Sequence, residues 1–284
     1  MMGAAMTSVA GGHSQYRYLH IEAVFVFDGC LDQWFARLHG QTRLDCPCPR
    51  KGSSMPNLIY RVVSACGALG YGYPKESLQT ALSGRVDAII CDGGSMDAGP
   101  YYLGTGKEYF EREAVKADYR HMVAAGKQIG CPVILGSSGM AGGNRNLDWM
   151  IAVAKEVFAE QKVEGAKVAV IRSELDPEIV ISEYRNGALR PTGFGPELDE
   201  QTLRESVIVG QMGIHPLITA LESGAQYILA GRSCDIALFA SDMIRRGIDP
   251  GLAYHVGHVL ECGALACDPG SQASAPHSRT CPTW

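Results

Sequence analysis

Val86-Asp87-Ala88-Ile89-Ile90-Cys91-Asp92 leads directly into Gly93-Gly94-Ser95-Met96-Asp97-Ala98-Gly99-Pro100-Tyr101-Tyr102-Leu103-Gly104-Thr105-Gly106, and this stretch decides the fold. An apolar, β-branched run closed by glycines is the pattern of a strand buried on both faces, as in a parallel sheet. The strand ends on an acid and breaks into a loop with five glycines, one proline and two tyrosines. Glycine allows positive φ and close approach of the backbone to a ligand, while acids, hydroxyls and phenols supply polar contacts. Open α/β sheets keep their sites in such loops, at the carboxyl ends of strands. A well-capped βα connection would have the same composition.

Outward from this stretch, short apolar runs alternate with helical patterns. Strands are expected at Leu58–Ser64, Pro132–Leu135, Lys167–Ile171 and Gln226–Ala230. Helices are expected at Lys75–Ser83, Glu111–Ile129, Leu147–Gln161, Leu198–Val209, Pro216–Ser223, Ile236–Arg246 and Gly251–Ala266, the last two separated by Gly247 and Asp249-Pro250. The alternation predicts an α/β fold, a mostly parallel sheet with helices on both faces and glycine-rich loops at the strand carboxyl ends. Residues 1–54 have a different character: Ile21–Phe27 could form a strand, but the segment is expected to be a poorly ordered extension. Residues 55–268 read as the compact domain, and the polar Pro/Ser stretch 269–284 as a disordered tail.

Four expected strand ends carry glycine-rich or polar loops: Ala65–Tyr73, Gly93–Gly106, Gly136–Asn144 and Gly231–Asp235. Together they outline a crevice lined by backbone N–H groups, an edge that favours carboxylates or phosphates. Neither Gly-x-x-Gly-x-Gly in the first loop nor Gly-x-x-Gly-Met-Ala-Gly-Gly in the third has the Rossmann order. A Gly-Lys-Ser/Thr phosphate loop and a Gly-x-Ser-x-Gly elbow are absent from the sequence. No cofactor is therefore assigned. Asp92 and Asp97 flank the central loop and Asp235 closes the last one. Carboxylates crowded in a partly dry crevice raise one another's pKa and serve as acid and base, though aspartates in such places also cap helices and turns. Arg232, straight after a strand and a glycine, suits a bidentate hold on a carboxylate. Ser95, Ser137 and Ser138 are candidate hydroxyl donors.

Two groupings invite a metal. Cys30, Cys46 and Cys48 lie near His13, His20 and His39, but Cys-Pro-Cys-Pro lacks knuckle spacing. His255, His258 and Glu261 share a helical face without forming the His-Glu-x-x-His pattern. No metal is assigned.

With 46% hydrophobic and 19% charged residues, a net charge of −5 and a pI near 5.9, the 284-residue chain has no general attraction to nucleic acid or anionic lipid. No apolar run reaches membrane-spanning length, and no secretory leader pattern opens the sequence. Several of its ten cysteines sit in apolar runs (Cys66, Cys91, Cys131, Cys234), as reduced, buried thiols do, so a cytoplasmic location is expected.

Ser64–Gly72, Asp92–Gly104, Gly136–Gly139, Ala230–Asp235 and Leu260-Glu261-Cys262-Gly263-Ala264 resemble the acyclic terpene utilisation family, specifically the AtuA-like N-terminal domain, over about residues 55–268. The sequence departs from the family pattern at Met96 (usually Thr), Ala98 (Pro), Ser138 and Met140 (Gly or Ala) and His258 (commonly Lys). Family members continue well past the position of Gly270, so the domain is expected to be incomplete at its C-terminus, as a truncated homologue would be. The resemblance implies catabolism of branched carboxylic acids or their acyl-CoA thioesters by lyase- or isomerase-type acid/base chemistry, such as hydration or isomerisation. Asp97, Asp235 and Ser95 are the candidate catalytic residues. Gly94, Tyr101, Tyr102, Ser137, Ser138, Arg232 and Glu261 are the candidate substrate-binding residues. The expected partner is a small anionic substrate, with a small partner subunit or a homo-oligomer possible and no nucleic acid or membrane. The alternative is a non-catalytic subunit of a catabolic complex, or an inactive homologue.

Overall fold

The structure, a computed structural model, describes residues 60–94, 100–189 and 198–263 in full, together with the backbone of Met6–Thr7, Arg17–Glu22 and His277–Thr280. Five strands form the parallel centre of its sheet. With Met6–Thr7 as β1 and Arg17–Glu22 as β2, these are β3 (Tyr60–Ser64), β4 (Ala88–Asp92), β5 (Val133–Gly136), β6 (Lys167–Arg172) and β7 (Tyr227–Ala230). Their spatial order is β6-β7-β5-β4-β3. At the edges β2 pairs parallel with β6, β1 antiparallel with β2, and β8 (His277–Thr280) antiparallel with β3. The strand expected at Ile21–Phe27 overlaps β2 only at Ile21 and Glu22, β2 starting four residues earlier; residues 23–27 lie outside the described residues.

Strand residues alternate between two cores, as a period of two requires. Ile89 and Cys91 of β4 join one cluster, Ala88 and Ile90 the other. The first cluster packs under α1 (Lys75–Ala81), α3 (Arg112–Ile129) and α4 (Asn144–Glu160), with Phe158 set between Tyr119 and Tyr227. The second packs under α7 (Ile214–Glu222), α8 (Asp235–Arg245) and α9 (Pro250–Leu260). Local signals set several ends: α3 stops at Gly130 in the left-handed region (φ 78°), and α9 starts with Asp249 accepting from the Leu252 N–H ahead of Pro250. Among the described residues no helix is long and apolar enough to cross a membrane.

Three helices differ from expectation. Pro100–Thr105 is a short helix, α2, within the stretch expected to be loop. Pro177–Arg185 is a helix, α5, that the periodicity does not announce, although Asp176 caps it and Pro177 opens it. The helix expected at Leu198–Val209 shrinks to α6, Glu200–Glu205. The latter two build a small third core around Val180, Ile181 and Leu203, so a short apolar stripe suffices where the partner is another short helix. Cys66, Cys91 and Cys131 are buried and free, and burial pushes the Cys91 thiol well above its ordinary pKa.

The topology positions the site. From β3 to β6 the chain advances across the sheet through helices on one face; from β6 to β7 it steps back through α7 on the other, as right-handed crossovers demand. The neighbouring strands β5 and β7 therefore send their chains to opposite faces, into α4 and α8. The cleft this opens at their carboxyl ends is the position where open α/β sheets bind ligands.

Candidate functional site

Asp92 ends β4, paired in register with Gly136 at the end of β5. The Gly93 N–H donates to the Gly136 carbonyl at 2.7 Å, pulling the β4 exit against the β5 loop. From that loop the Ser137 and Ser138 N–H groups donate to the Gly231 and Ala230 carbonyls, each at 3.0 Å. The ends of β4, β5 and β7 are thus stitched edge to edge. The seam demands glycine in places. At Gly94 (φ 148°) a Cβ would lie 2.5 Å from Met140 Cα, and at Gly142 (φ 73°) it would lie within van der Waals contact of the Arg232 backbone. Ser137 (φ 40°) and Met140 (φ 85°) also hold left-handed backbone, a cost of about 1–3 kcal/mol each that side-chain-bearing residues bear mostly at functional loops.

Arg232 lies in the seam with its side chain 6% exposed. Its backbone N–H reaches the Ser173 hydroxyl at 2.7 Å, and that hydroxyl donates to the Gly142 carbonyl at 2.8 Å. The guanidinium donates through Nη2 to Asp235 Oδ1 at 3.1 Å, while Nη1 is buried without a partner among the described residues. Asp235 occupies the first turn of α8, where the helix dipole favours a carboxylate. Asp92 is buried beside them. Burial first, and then a hydrogen bond with Asp235 and that residue's charge, push its pKa well above the ordinary 3.8, against the opposing pull of Arg232 and the Gly94 N–H. One buried cation thus stands beside two carboxyl groups, of which burial pushes Asp92 toward its protonated form.

This arrangement has a pH consequence. The folded Asp92 binds its proton more tightly than the unfolded one, so its contribution to stability is full below pH 3.8 and drains away as pH rises through the folded-state value. Asp92→Asn imitates the protonated form and leaves an oxygen for the Gly94 N–H. The variant should lose less stability than the parent between pH 5 and pH 8, measured by urea unfolding. A parallel pair of pH profiles would contradict the buried acid.

The structure brings Gly94, Ser137, Ser138, Arg232 and Asp235 of the expected site to this rim. The Ser137 Oγ lies 3.4 Å from the Ser233 N–H, and the Ser138 Oγ is buried without a partner among the described residues. Ser95 and Asp97 follow Gly94 but lie outside the described residues. Tyr101 and Tyr102 stand on α2 and join a run of rings rather than the Arg232 cluster. Glu261 caps the end of α9, accepting from the Cys262 thiol at 3.1 Å, beside the loop after β3, where Gly67 sits against the Cys262 carbonyl. His255 and His258 are exposed, and among the described residues no group of three His, Cys, Asp or Glu side chains has metal-holding geometry. Cys30, Cys46 and Cys48 lie outside the described residues.

The sequence pattern points to Asp97 and Asp235 for the chemistry, whereas the structure buries Asp92 beside Asp235 and Arg232. A charge closing an otherwise apolar strand was the available signal. Ser173 gave none, because its role depends on Gly142 and Arg232, far away along the chain. A separate cavity of about 270 Å³, lined by Lys127, Cys131, Gln226 and Arg246 among others, opens at the opposite, amino end of β5 and β7. The helix C-termini around it account for its basic side chains.

The family described as acyclic terpene utilisation family protein AtuA matches residues 114–279, more than half of the chain. That span holds Ser137, Ser138, Arg232, Asp235 and Glu261 and begins after the central loop. No curated protein and no solved structure matches the chain.

Proposed function

The chain belongs to the acyclic terpene utilisation family, and on that premise we propose that it binds a branched carboxylic acid or its coenzyme A thioester at the carboxyl edge and moves a proton on it. The observation that carries this reading is the buried Nη1 of Arg232, without a partner among the described residues, beside the carboxyl groups of Asp92 and Asp235. In the proposal Nη1 receives the carboxylate or thioester oxygen of the substrate, with the Ser138 hydroxyl as a second donor. Asp235, held against Arg232, takes a proton from the carbon next to that group. Asp92 delivers one to the far carbon of the double bond, which shifts by one position as the α-proton leaves. Ser95 and Asp97, which continue the same loop, are proposed to line the substrate's other side. Burial, which pushes Asp92 toward its protonated form, suits it to the donor's part in this division of labour.

The test uses 3-methylbutanoate and its coenzyme A thioester with the whole chain. Binding should raise the unfolding temperature, and exchange of the α-protons in heavy water should be visible by NMR. Asp235→Asn should abolish exchange while ligand still binds; Arg232→Lys should weaken binding at least tenfold. Binding without exchange in the parent chain would favour a ligand-binding subunit over an enzyme. Absence of both would end the proposal.

A further inference from the structure

Beside the carboxyl edge runs a series of five aromatic rings. Tyr71 meets Phe110 edge to face (5.0 Å between centroids), Phe110 meets Tyr109 (4.8 Å), Tyr109 meets Tyr102 (5.3 Å) and Tyr102 meets Tyr101 (5.2 Å). Single exposed aromatics are ordinary on a protein surface, but contiguous ones mark a binding face. Here Tyr71, Tyr109 and Tyr101 are 46%, 48% and 53% exposed. Each ring is held by its neighbour, so little side-chain freedom remains to be lost when a flat ligand lies against it. The series adjoins the site already described: Tyr109 and Phe110 share a small cavity with Gly93, Gly139 and Met140.

One end of the series is cationic. The Lys107 ammonium donates to the Tyr101 hydroxyl at 3.0 Å and stands 5.6 Å from the centre of that ring. This leaves two of its three protons for a ligand. The stem of Arg145 lies over Gly106, the preceding residue, and its guanidinium is exposed. Neither cation forms an ion pair with a carboxylate among the described residues, although Glu108 acts on Lys107 through its field. Preset ring faces ending at two cations that form no ion pair among the described residues complement a planar heteroaromatic ring that carries phosphate.

We propose that the face formed by Tyr109 and Tyr101 with Lys107 and Arg145 binds a purine nucleotide, the base stacking on tyrosine and the phosphate meeting the two cations. Stacking is tolerant of base identity, because every base has a π face, whereas the cations select for phosphate. The same chemistry is offered by a free nucleotide and by the adenosine end of coenzyme A.

Isothermal titration of the whole chain with ADP, adenosine, inorganic pyrophosphate and coenzyme A tests the proposal. ADP should bind saturably and at least tenfold more tightly than either adenosine or pyrophosphate. Tyr109→Ala and Lys107→Gln should each weaken ADP binding about tenfold, with circular dichroism unchanged. Coenzyme A binding with the same sensitivity, and more tightly than ADP, would identify its adenosine end as the source; binding weaker than ADP would identify a free nucleotide. Asp235→Asn should leave ADP affinity unaltered, so failure here is separable from failure of the carboxylate reading. ADP binding that survives Tyr109→Ala and Lys107→Gln, no ADP binding at all, or self-association that Tyr101→Ala and Tyr109→Ala abolish would each overturn the proposal.

Discussion

Gly142→Ala should cost the chain about 2–5 kcal/mol of stability, among the largest effects available from one methyl group. Its φ of 73° is left-handed, where an L side chain costs about 1–2 kcal/mol. The added Cβ would also press on Arg232, 2.6 Å from its Cα and nearer still to its nitrogen, and both belong to the β7 exit rather than to a flexible side chain. Overpacking of that kind adds about 1–3 kcal/mol. The Ser173 hydroxyl, which bridges Gly142 and Arg232, loses its geometry in the same step. Gly187→Ala is the matching control, because Gly187 has a similar φ of 71° and a Cβ there would meet nothing within 4 Å among the described residues. That variant should lose about 1 kcal/mol, the backbone part alone. Equal shifts of the urea midpoint in the two variants would show that the seam between β5 and β7 is loose.

Arg232→Met should cost about 3 kcal/mol, the lower end of the range for removing one partner of a buried pair. Methionine replaces the stem of the side chain but leaves Asp235 without its cation, and Asp92 without the charge that restrains its pKa. Asp235 is 29% exposed, so water relieves part of the penalty. Combining Arg232→Met with Asp235→Asn should recover much of the stability, since no unpaired charge remains, while carboxylate binding stays lost. Equilibrium unfolding of the single and double variants, with ligand titration of each, checks both parts. A double variant as unstable as the single one would mean that Arg232 acts through packing rather than charge.

The strands and the long helices were legible because each carries its own periodicity. Ala88–Asp92 is apolar at every position before the acid because both its faces are covered, and Arg112–Ile129 repeats small and apolar residues at helical spacing. Pro177–Arg185 was missed although Asp-Pro-Glu opens it, since two buried residues make too short a stripe to detect. Pro100–Thr105 was missed because Gly104 and the preceding glycines outweigh six residues of weak propensity.

Taken alone, the sequence determined the α/β class, the strands whose ends carry glycine-rich loops, and the local neighbours Arg232 and Asp235, three residues apart at the entry to a helix. All of these are short-range properties, encoded in hydrophobic period, chain flexibility and capping. The tertiary structure alone decided that β7 inserts between β5 and β6. That choice sends adjacent chains to opposite faces, sets Asp92 against Asp235 and puts Ser173 under Arg232. Strand order and register depend on which faces bury together across distant segments, and the protonation of Asp92 depends on water being excluded by all of them at once.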